Sequence, residues 1–182
     1  RCLETLRSAL ERAAAAQGLS LAAFAEVFVV DNASPDGSAA LVAERFPWVH
    51  LLANAQNRGF GAANNQAFAR AQGRYILLLN PDTEVVGDAI QRLVSYLETH
   101  PEAGVAGGLL HYGDGSFQHS AFRFPTLAMA FLDFFPLNHR LTDSWLNGRY
   151  PAAAYRSGDA FPVDHPLGAC MLVRSVVLEQ TG

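Results

Sequence analysis

Three short apolar segments that alternate with segments of helical periodicity constrain the fold of this chain more than any other feature. The apolar runs predict strands, and the spacing of apolar residues between them predicts helices. The predicted strands are 26–31, 48–53 and 74–79, and the predicted helices are 38–46, 62–72 and 87–100. Because the strand segments are continuously apolar, both faces of the sheet are expected to be covered. The sequence therefore predicts an α/β fold in which a mostly parallel sheet is sandwiched between helices.

Further segments extend this prediction to both ends of the chain. The additional predicted elements are a helix over 3–16 ended by Gly18, a strand over 103–110, strands over 160–163 and 169–173, and a helix from Ser175. Residues 111–159 are rich in glycine, proline and aromatic residues, and they predict an excursion with a hairpin and a short helix. We expect residues 1–182 to form a single domain.

The composition excludes several classes of protein. Half of the 182 residues are hydrophobic (50%), which suits one globular domain with a sizeable core. All 13 basic residues are arginine. A chain without lysine has neither the phosphate-binding lysine of P-loop nucleotide-binding proteins nor the Schiff-base lysine of pyridoxal phosphate enzymes. Because the arginines are scattered and the net charge is −4, the sequence predicts no nucleic-acid partner.

The cysteines and the hydropathy pattern indicate a reducing compartment. Cys2 and Cys170 lie near opposite ends without a CxxC pair, so neither a disulfide framework nor a zinc cluster is predicted. No apolar run approaches the roughly 20 residues that span a bilayer. The expected location is therefore the cytoplasm.

Polar residues follow each of the three central strands at the point where the strand ends. The three clusters are Asp31–Asn32, Asn54–Asn65 and Asn80–Pro81–Asp82. Ligands of open parallel sheets bind beyond the carboxyl ends of the strands, so the clusters are expected to face one groove. Their carboxylate and amide groups suit a nucleotide and a divalent cation, although each cluster alone is also typical of turns.

The cluster after the third strand predicts a metal site. Asp82 follows a wholly apolar strand, and its carboxylate, with the amide of Asn80, offers the oxygen ligands that Mg²⁺ or Mn²⁺ prefers. A diphosphate would supply other ligands. The alternative is an Asx turn that caps the next helix.

The later part of the chain contains candidates for substrate contacts. These are Arg123, Asp164, His165 and Gly168. Arg123 offers a cation to a phosphate, although a surface ion pair would explain it equally. Asp164 either orients a substrate hydroxyl or caps a local turn. The apolar stretch 127–135 is interpreted as cover for the core or, if exposed, as a lid or membrane-surface patch.

Several segments also follow one another in a recognisable order. They are VDNASPDGS at 30–38, NRGFGAAN at 57–64, LNPDTE at 79–84, GDGS at 113–116, RFPT at 123–126, VD at 163–164 and GACMLVR at 168–174. Together they resemble glycosyltransferase family 2, whose members are inverting enzymes of the Rossmann-like GT-A fold, and the rhamnosyltransferase-like branch is the most similar. The likeness covers nearly the whole chain, which makes it more specific than any single motif.

The resemblance implies roles for the residues at matching positions. The implied nucleotide contacts are Asp31, Asn32, Asn57, Gly59, Asn64 and Asn80. Asn80 and Asp82 correspond to a DxD-like motif that holds Mg²⁺ or Mn²⁺ on the diphosphate. Because Asn80 replaces the first aspartate of a strict DxD motif, Asp82 becomes the main anionic ligand.

The resemblance also implies the reaction, in which an acceptor hydroxyl attacks the anomeric carbon of a nucleoside diphosphate sugar with inversion. The expected donor is dTDP-rhamnose, or else a UDP- or GDP-sugar. The expected acceptor is a bacterial cell-surface polysaccharide or its lipid-linked precursor, with peripheral contact at the inner face of the membrane. The candidate substrate contacts Arg123, Asp164, His165 and Gly168 would then touch the acceptor or the sugar. The alternatives are a sugar nucleotidyltransferase and a non-catalytic nucleotide-sugar-binding module.

The resemblance further implies that the chain is a fragment. In the family, a strand precedes the helix that here begins near Arg1, and the general base lies beyond the segment that matches 168–174, which would be beyond Gly182. The catalytic base is therefore unknown here, and residues 1–182 alone are expected to bind a nucleotide sugar weakly without turnover.

Overall fold

The computed structural model of the chain describes residues 1–134 and 145–181. The helices are α1 Cys2–Ala16, α2 Leu21–Phe24, α3 Ser38–Arg45, α4 Phe60–Phe68, α5 Ala89–Thr99, α6 Leu127–Phe134, α7 Ala152–Arg156 and α8 Ser175–Thr181, with a 3-10 turn at Trp145–Asn147. The strands are β1 Phe28–Asp31, β2 His50–Ala53, β3 Tyr75–Leu79, β4 Val105–Gly107, β5 Leu110–His111, β6 Phe117–Gln118, β7 Ala121–Phe122, β8 His165–Pro166 and β9 Cys170–Arg174. The predicted alternation of strands and helices is confirmed.

The strand pairing is parallel at the start of the chain and antiparallel later. β1 and β2 pair in parallel, with Phe28 opposite His50 and Asp31 opposite Ala53. A second sheet has the order β3–β9–β4, and β4 and β9 within it are antiparallel. The apolar run over 169–173 did not indicate that β9 would be antiparallel to β4. A buried antiparallel strand has the same continuous apolar pattern as a parallel one.

α1 ends at the glycine that the sequence marks as its terminator. Gly18 has a φ of +68°, in the left-handed region that favours glycine. Its N–H donates to the Ala15 carbonyl at 3.1 Å, and the Leu19 N–H donates to the Ala14 carbonyl at 3.0 Å. These two bonds form a Schellman motif, which satisfies carbonyls that the helix end would otherwise leave unpaired.

The described residues divide into two compact units, each with its own core. The first unit comprises 1–76, 84–92 and 174–181, and the second comprises the described residues of 77–83 and 93–173. In the first unit, α4 contacts β1 and α3 contacts β2. Its buried apolar residues are Leu6, Ala9, Leu10, Ala13, Ala14, Ala63 and Ile90. Those of the second unit are Leu97, Ala106, Ala121, Leu172 and Val173.

The excursion after β4 contains the predicted hairpin. β5 and β6 are antiparallel, with Leu110 opposite Gln118. At the turn, Gly115 has a φ of +83°, and Asp114 Oδ1 accepts the Ser116 N–H at 2.8 Å. Hydrogen bonds from the side chain and the backbone of Ser116 lower the pKa of the Asp114 carboxyl, so this turn keeps its acceptor charged at neutral pH.

Two boundary predictions are wrong. Residues 160–163 do not form a strand, because Pro162 has no N–H to donate to a sheet. The chain instead pairs at β8, where His165 lies opposite Phe122 of β7. α4 begins before the predicted start at 62 and ends before 72, since the positive φ of Gly59 allows the helix to start at Phe60.

The apolar stretch from Leu127 onward forms α6, and its exposure contradicts the interpretation of this stretch as core cover. Leu127 is 92% exposed and Phe134 is 81% exposed. Residue 135, the last of this apolar stretch, lies outside the described residues. In the described ranges, neither α6 nor another helix combines the length and apolar character that a membrane crossing requires.

Gly107 permits a close approach between β4 and Pro166. A Cβ added at Gly107 would lie 2.5 Å from Pro166 Cβ, and neither group can rotate away. We expect Gly107→Ala to lower the free energy of unfolding by about 2 kcal/mol in urea denaturation, as in other overpacked sites. Gly113→Ala is the matched control, because nothing lies within 4 Å of its added Cβ. Equal losses in both variants would contradict this account.

Candidate functional site

The polar clusters that follow β1 and β2 are joined by the side chain of Asn32. Its Nδ2 donates to Asn57 Oδ1 at 2.8 Å and to the Gly59 carbonyl at 3.3 Å. Its Oδ1 accepts from Asn54 Nδ2 at 3.2 Å and from the Arg58 N–H at 2.9 Å. These four contacts bring two of the three predicted clusters together in the first unit.

The same network fixes the loop that leads into α4. Asn57 Oδ1 also accepts the Gly59 N–H at 2.8 Å, and Gly59 has a φ of +81°. The first turn of α4 follows at once, and N–H groups in the first turn of a helix have no partner within the helix. Because this helix end also carries a partial positive charge, it suits a phosphate.

Asn64 contacts its own helix rather than the amide network. Its Nδ2 donates to the Phe60 carbonyl one turn earlier, at 3.0 Å. The side chain is half-buried. A nucleotide contact through Asn64 therefore stays a prediction.

Asp31 and Asp36 shape the turn between β1 and α3. Asp31 Oδ2 accepts the Ser34 N–H at 3.2 Å, which is the turn-forming role that the sequence left open beside a nucleotide contact. Asp36 Oδ1 accepts from Ser38 Oγ at 2.6 Å and from the Ser38 N–H at 3.0 Å. These bonds lower the pKa of the Asp36 carboxyl, so a negative charge is kept at the start of α3.

Asn80 and Asp82 lie in the second unit, in the turn after β3. The Asn80 N–H donates to the Ala169 carbonyl at 2.9 Å, and the Asn80 carbonyl accepts from Thr83 Oγ1 at 2.7 Å. The turn is thus held by the segment at Ala169 and by its own residues. The Asp82 side chain is exposed.

The donor set of this turn fits a divalent cation that also has other ligands. Carboxylate and amide oxygens suit Mg²⁺ or Mn²⁺, which usually keeps water and phosphate ligands beside one or two carboxylates. The described ranges contain no group of three or more His, Cys, Asp or Glu side chains arranged to hold a metal. A cation here would therefore need the diphosphate as a partner, and the metal role of Asp82 and Asn80 is a prediction.

Asp164 ties together separate segments of the second unit. Its Oδ2 accepts the Phe124 N–H at 2.8 Å, and its Oδ1 accepts from the Tyr150 hydroxyl at 3.3 Å. The Tyr150 hydroxyl in turn accepts the Asp164 N–H at 3.0 Å. Both carboxylate oxygens are therefore engaged within the chain, which agrees with the local structural role that the sequence left open for Asp164.

Arg123 and His165 line an open groove of about 310 Å³ in the second unit. The Arg123 guanidinium lies 5.5 Å from the centre of the Tyr150 ring, and the His165 ring stacks on Phe122 at 5.9 Å. Gly168 does not line this groove. Two of the four predicted acceptor-side residues are thus brought together, while Asp164 supports the segment that carries Arg123.

Sequence analysis missed Arg149 and Tyr150, which lie beside these residues. Arg149 lines the same groove and forms an isolated antiparallel bridge with Phe122. Both residues occur in a segment without regular periodicity, so only the pairing of short strands brings them to Phe122 and Arg123. No signal in the sequence marks that pairing.

The fold and the order of these segments along the chain indicate the class of protein: the chain belongs to glycosyltransferase family 2. The family model described as "Glycosyl transferase family 2" matches residues 1–179. The α/β fold is of the GT-A type, as the resemblance implied.

Two curated proteins illustrate the similarity. The chain is 28% identical over 188 residues to "N-acetylglucosaminyl-diphospho-decaprenol L-rhamnosyltransferase" of Mycobacterium tuberculosis, which covers 95% of this chain and 59% of that protein. It is 39% identical over 92 residues to "Succinoglycan biosynthesis protein ExoO" of Rhizobium meliloti, which covers 50% of this chain and 25% of that protein. The chain thus spans 59% of the length of the curated rhamnosyltransferase, and this similarity agrees with the predicted rhamnosyltransferase-like branch.

Proposed function

We propose that this chain binds the nucleoside diphosphate sugar of an inverting glycosyltransferase that transfers rhamnose, or a similar sugar, to a lipid-linked or polysaccharide acceptor. The Asn32 network carries the proposal, because it fixes Gly59 and presents the first-turn N–H groups of α4 beside amide side chains. The printed names of the relatives, a rhamnosyltransferase and a succinoglycan biosynthesis protein, support the same class of reaction.

The donor side uses residues of the three polar clusters. The proposed nucleotide contacts are Asp31, Asn32, Asn57, Gly59, Asn64 and Asn80. Asp82, with the amide oxygen of Asn80, would hold Mg²⁺ or Mn²⁺, which when bound neutralises the negative charge that grows on the departing diphosphate. Asp82 contributes the anionic oxygen, and the rigid turn at 80–83 keeps it at the end of β3.

The acceptor side uses the second unit. Arg123 and His165 would contact the acceptor within the groove that both line. Asp164 acts as a positioning residue, because its bonds to the Phe124 N–H and the Tyr150 hydroxyl keep the Arg123 segment in place. Gly168 lies in the segment before β9 and is the third proposed contact, beside Arg123 and His165.

A thermal-shift titration with UDP-, dTDP- and GDP-sugars in the presence of Mn²⁺ tests the proposal. A ligand that binds only the native state stabilises it by RT ln(1 + [L]/Kd), so a tenfold preference among donors appears as about 1.4 kcal/mol at saturating concentrations. We expect dTDP-rhamnose to give the largest shift. Absence of a shift with all three classes of donor would contradict the proposal. Pyrophosphate release from a nucleoside triphosphate and a sugar 1-phosphate would indicate a nucleotidyltransferase instead.

A further inference from the structure

Arg58 brings a positive charge into the amide network of the first unit. Its N–H donates to Asn32 Oδ1 at 2.9 Å. The residues on either side of it are held by Asn32 Nδ2, which donates to Asn57 Oδ1 and to the Gly59 carbonyl. The backbone at Arg58 is therefore fixed, two residues before α4 begins at Phe60. Its side chain starts from a defined position within the candidate donor site.

The Arg58 guanidinium makes no hydrogen bond, ion pair or ring contact to any residue that the structure describes. Several other arginines of the first unit contact an acidic side chain or a carbonyl. These pairs are Arg1 with Glu84, Arg7 with Glu11, Arg12 with Gly87, Arg45 with Glu4 and Arg92 with Asp88. Arg58 thus offers all of the N–H donors of its guanidinium to a ligand.

The charges around Arg58 favour an anionic ligand. Along the chain, it is the single Asp, Glu, Lys or Arg residue between Arg45 and Arg70. The acidic residues of the neighbouring turn, Asp31 and Asp36, direct carboxylate oxygens to N–H groups of their own turn. The start of α4 adds a partial positive charge to that of the guanidinium. The potential at this loop is therefore positive, although the whole chain carries a net charge of −4.

The other donor-site groups that the network contributes are neutral. The side chains of Asn32, Asn54 and Asn57 offer hydrogen bonds but no charge, and the proposed metal ligand Asp82 belongs to the second unit. A phosphate group is negatively charged at neutral pH, and neutral amides alone would leave that charge uncompensated. Because the chain contains no lysine, a permanently charged cationic side chain has to be arginine. The planar guanidinium also matches phosphate oxygens in a bidentate contact.

We propose that Arg58 is a further donor-binding residue, and that its guanidinium contacts the diphosphate of the nucleotide sugar in front of α4. The inference rests on the proposed function, because it assigns an additional residue to the donor site of that reaction. Negative charge grows on the diphosphate as its bond to the sugar breaks, and the guanidinium stabilises this charge. The contact also contributes to specificity, since a nucleoside monophosphate offers Arg58 fewer oxygens and less charge.

Isothermal calorimetry with Arg58→Gln tests the inference. dTDP, UDP and GDP are titrated in the presence of Mn²⁺, and the one that binds the wild type most tightly is compared with its monophosphate and its nucleoside. We expect Arg58→Gln to weaken diphosphate binding about tenfold, the usual scale for losing a charge-assisted hydrogen bond. The monophosphate should lose less, and the nucleoside nothing. Arg58 is exposed, and glutamine keeps the N–H that Asn32 accepts, so the fold should be retained.

Two variants are matched controls. Arg70→Gln makes the same change just beyond the other end of α4, at an exposed arginine, and should bind like the wild type. Arg58→Lys keeps the charge but loses the planar fork, so it should recover part of the affinity. All three variants should unfold at the same urea concentration as the wild type.

The effect of Mn²⁺ separates Arg58 from the proposed cation site. Arg58→Gln leaves Asp82 intact, so Mn²⁺ should raise the diphosphate affinity by the same factor as in the wild type. Equal diphosphate affinity of Arg58→Gln and the wild type would overturn the inference. An equal loss of affinity for the diphosphate and for the nucleoside would also overturn it, because a merely structural role would weaken both.

Failure of this inference can be distinguished from failure of the proposed function. If the wild type binds none of the three nucleoside diphosphates in the presence of Mn²⁺, the proposed function itself is contradicted. If the wild type binds one of them and Arg58→Gln binds it equally well, only the assignment of Arg58 is wrong.

Discussion

Replacing Asp82 by asparagine is expected to lower the affinity of the chain for dTDP about a hundredfold in the presence of Mn²⁺. This is the upper end of the loss in affinity, about 10- to 100-fold, that follows when residues supporting a metal site are changed. The substitution keeps the size of the side chain but removes the anionic oxygen that Mg²⁺ or Mn²⁺ prefers. Asp82 is exposed, so the change should leave the free energy of unfolding nearly unaltered. Isothermal calorimetry with and without Mn²⁺ measures the effect.

Two controls isolate the metal from the nucleoside. Asp159→Asn makes the same chemical change at another exposed aspartate of the second unit and should leave dTDP binding unchanged. Thymidine, which has no phosphate, should bind the wild type and Asp82→Asn equally. If Mn²⁺ increases dTDP affinity as much in Asp82→Asn as in the wild type, Asp82 is not the metal ligand.

Replacing Asn32 by alanine is expected to lower the free energy of unfolding by about 2 kcal/mol and to weaken nucleotide binding about tenfold. The change removes four hydrogen bonds, to Asn57, Gly59, Asn54 and Arg58. The net loss is small for four bonds because the loop is partly exposed and water replaces some of them. Urea denaturation gives the stability, and calorimetry with dTDP gives the affinity.

Asn65→Ala is the matched control for this experiment. Asn65 is exposed on α4, so the same truncation there should change neither stability nor affinity appreciably. A loss of stability in Asn32→Ala with unchanged dTDP affinity would mean that the network is structural and that the nucleotide binds elsewhere. Equal effects of the two substitutions would contradict the role of the network altogether.

Much of the fold could be predicted because local signals and packing agree in the first part of the chain. The run that ends at Asp31, the turn at 32–37 and the terminating glycine at 18 each specify a structure through their own chemistry. The later strands depend on partners far away in sequence. β8 contains only His165 and Pro166, and nothing in that pair predicts a strand until Phe122 lies beside it.

The candidate site, like the fold, has one part that the sequence predicts and another part that it does not. Asn32 and Asn57 could be placed together because each follows a strand of a parallel pair, and parallel strands end at the same edge. The groove of Arg123 and Arg149 could not be predicted, since it depends on a single bridge between Phe122 and Arg149. No sequence signal marked the exposure of Leu127, because an apolar helix has the same residue pattern whether its side chains are buried in a core or exposed.

The central proposal is that the polar clusters after β1 and β2, joined by Asn32 in the first unit, bind the nucleoside diphosphate together with its cation. Nuclear magnetic resonance tests it most directly, since Mn²⁺ broadens the amide signals of nearby residues and Mg²⁺ does not. With dTDP bound, exchange of Mg²⁺ for Mn²⁺ is predicted to broaden the amide signals of Asn32 and Gly59. Unchanged signals for Asn32 and Gly59 at saturating dTDP would contradict the account.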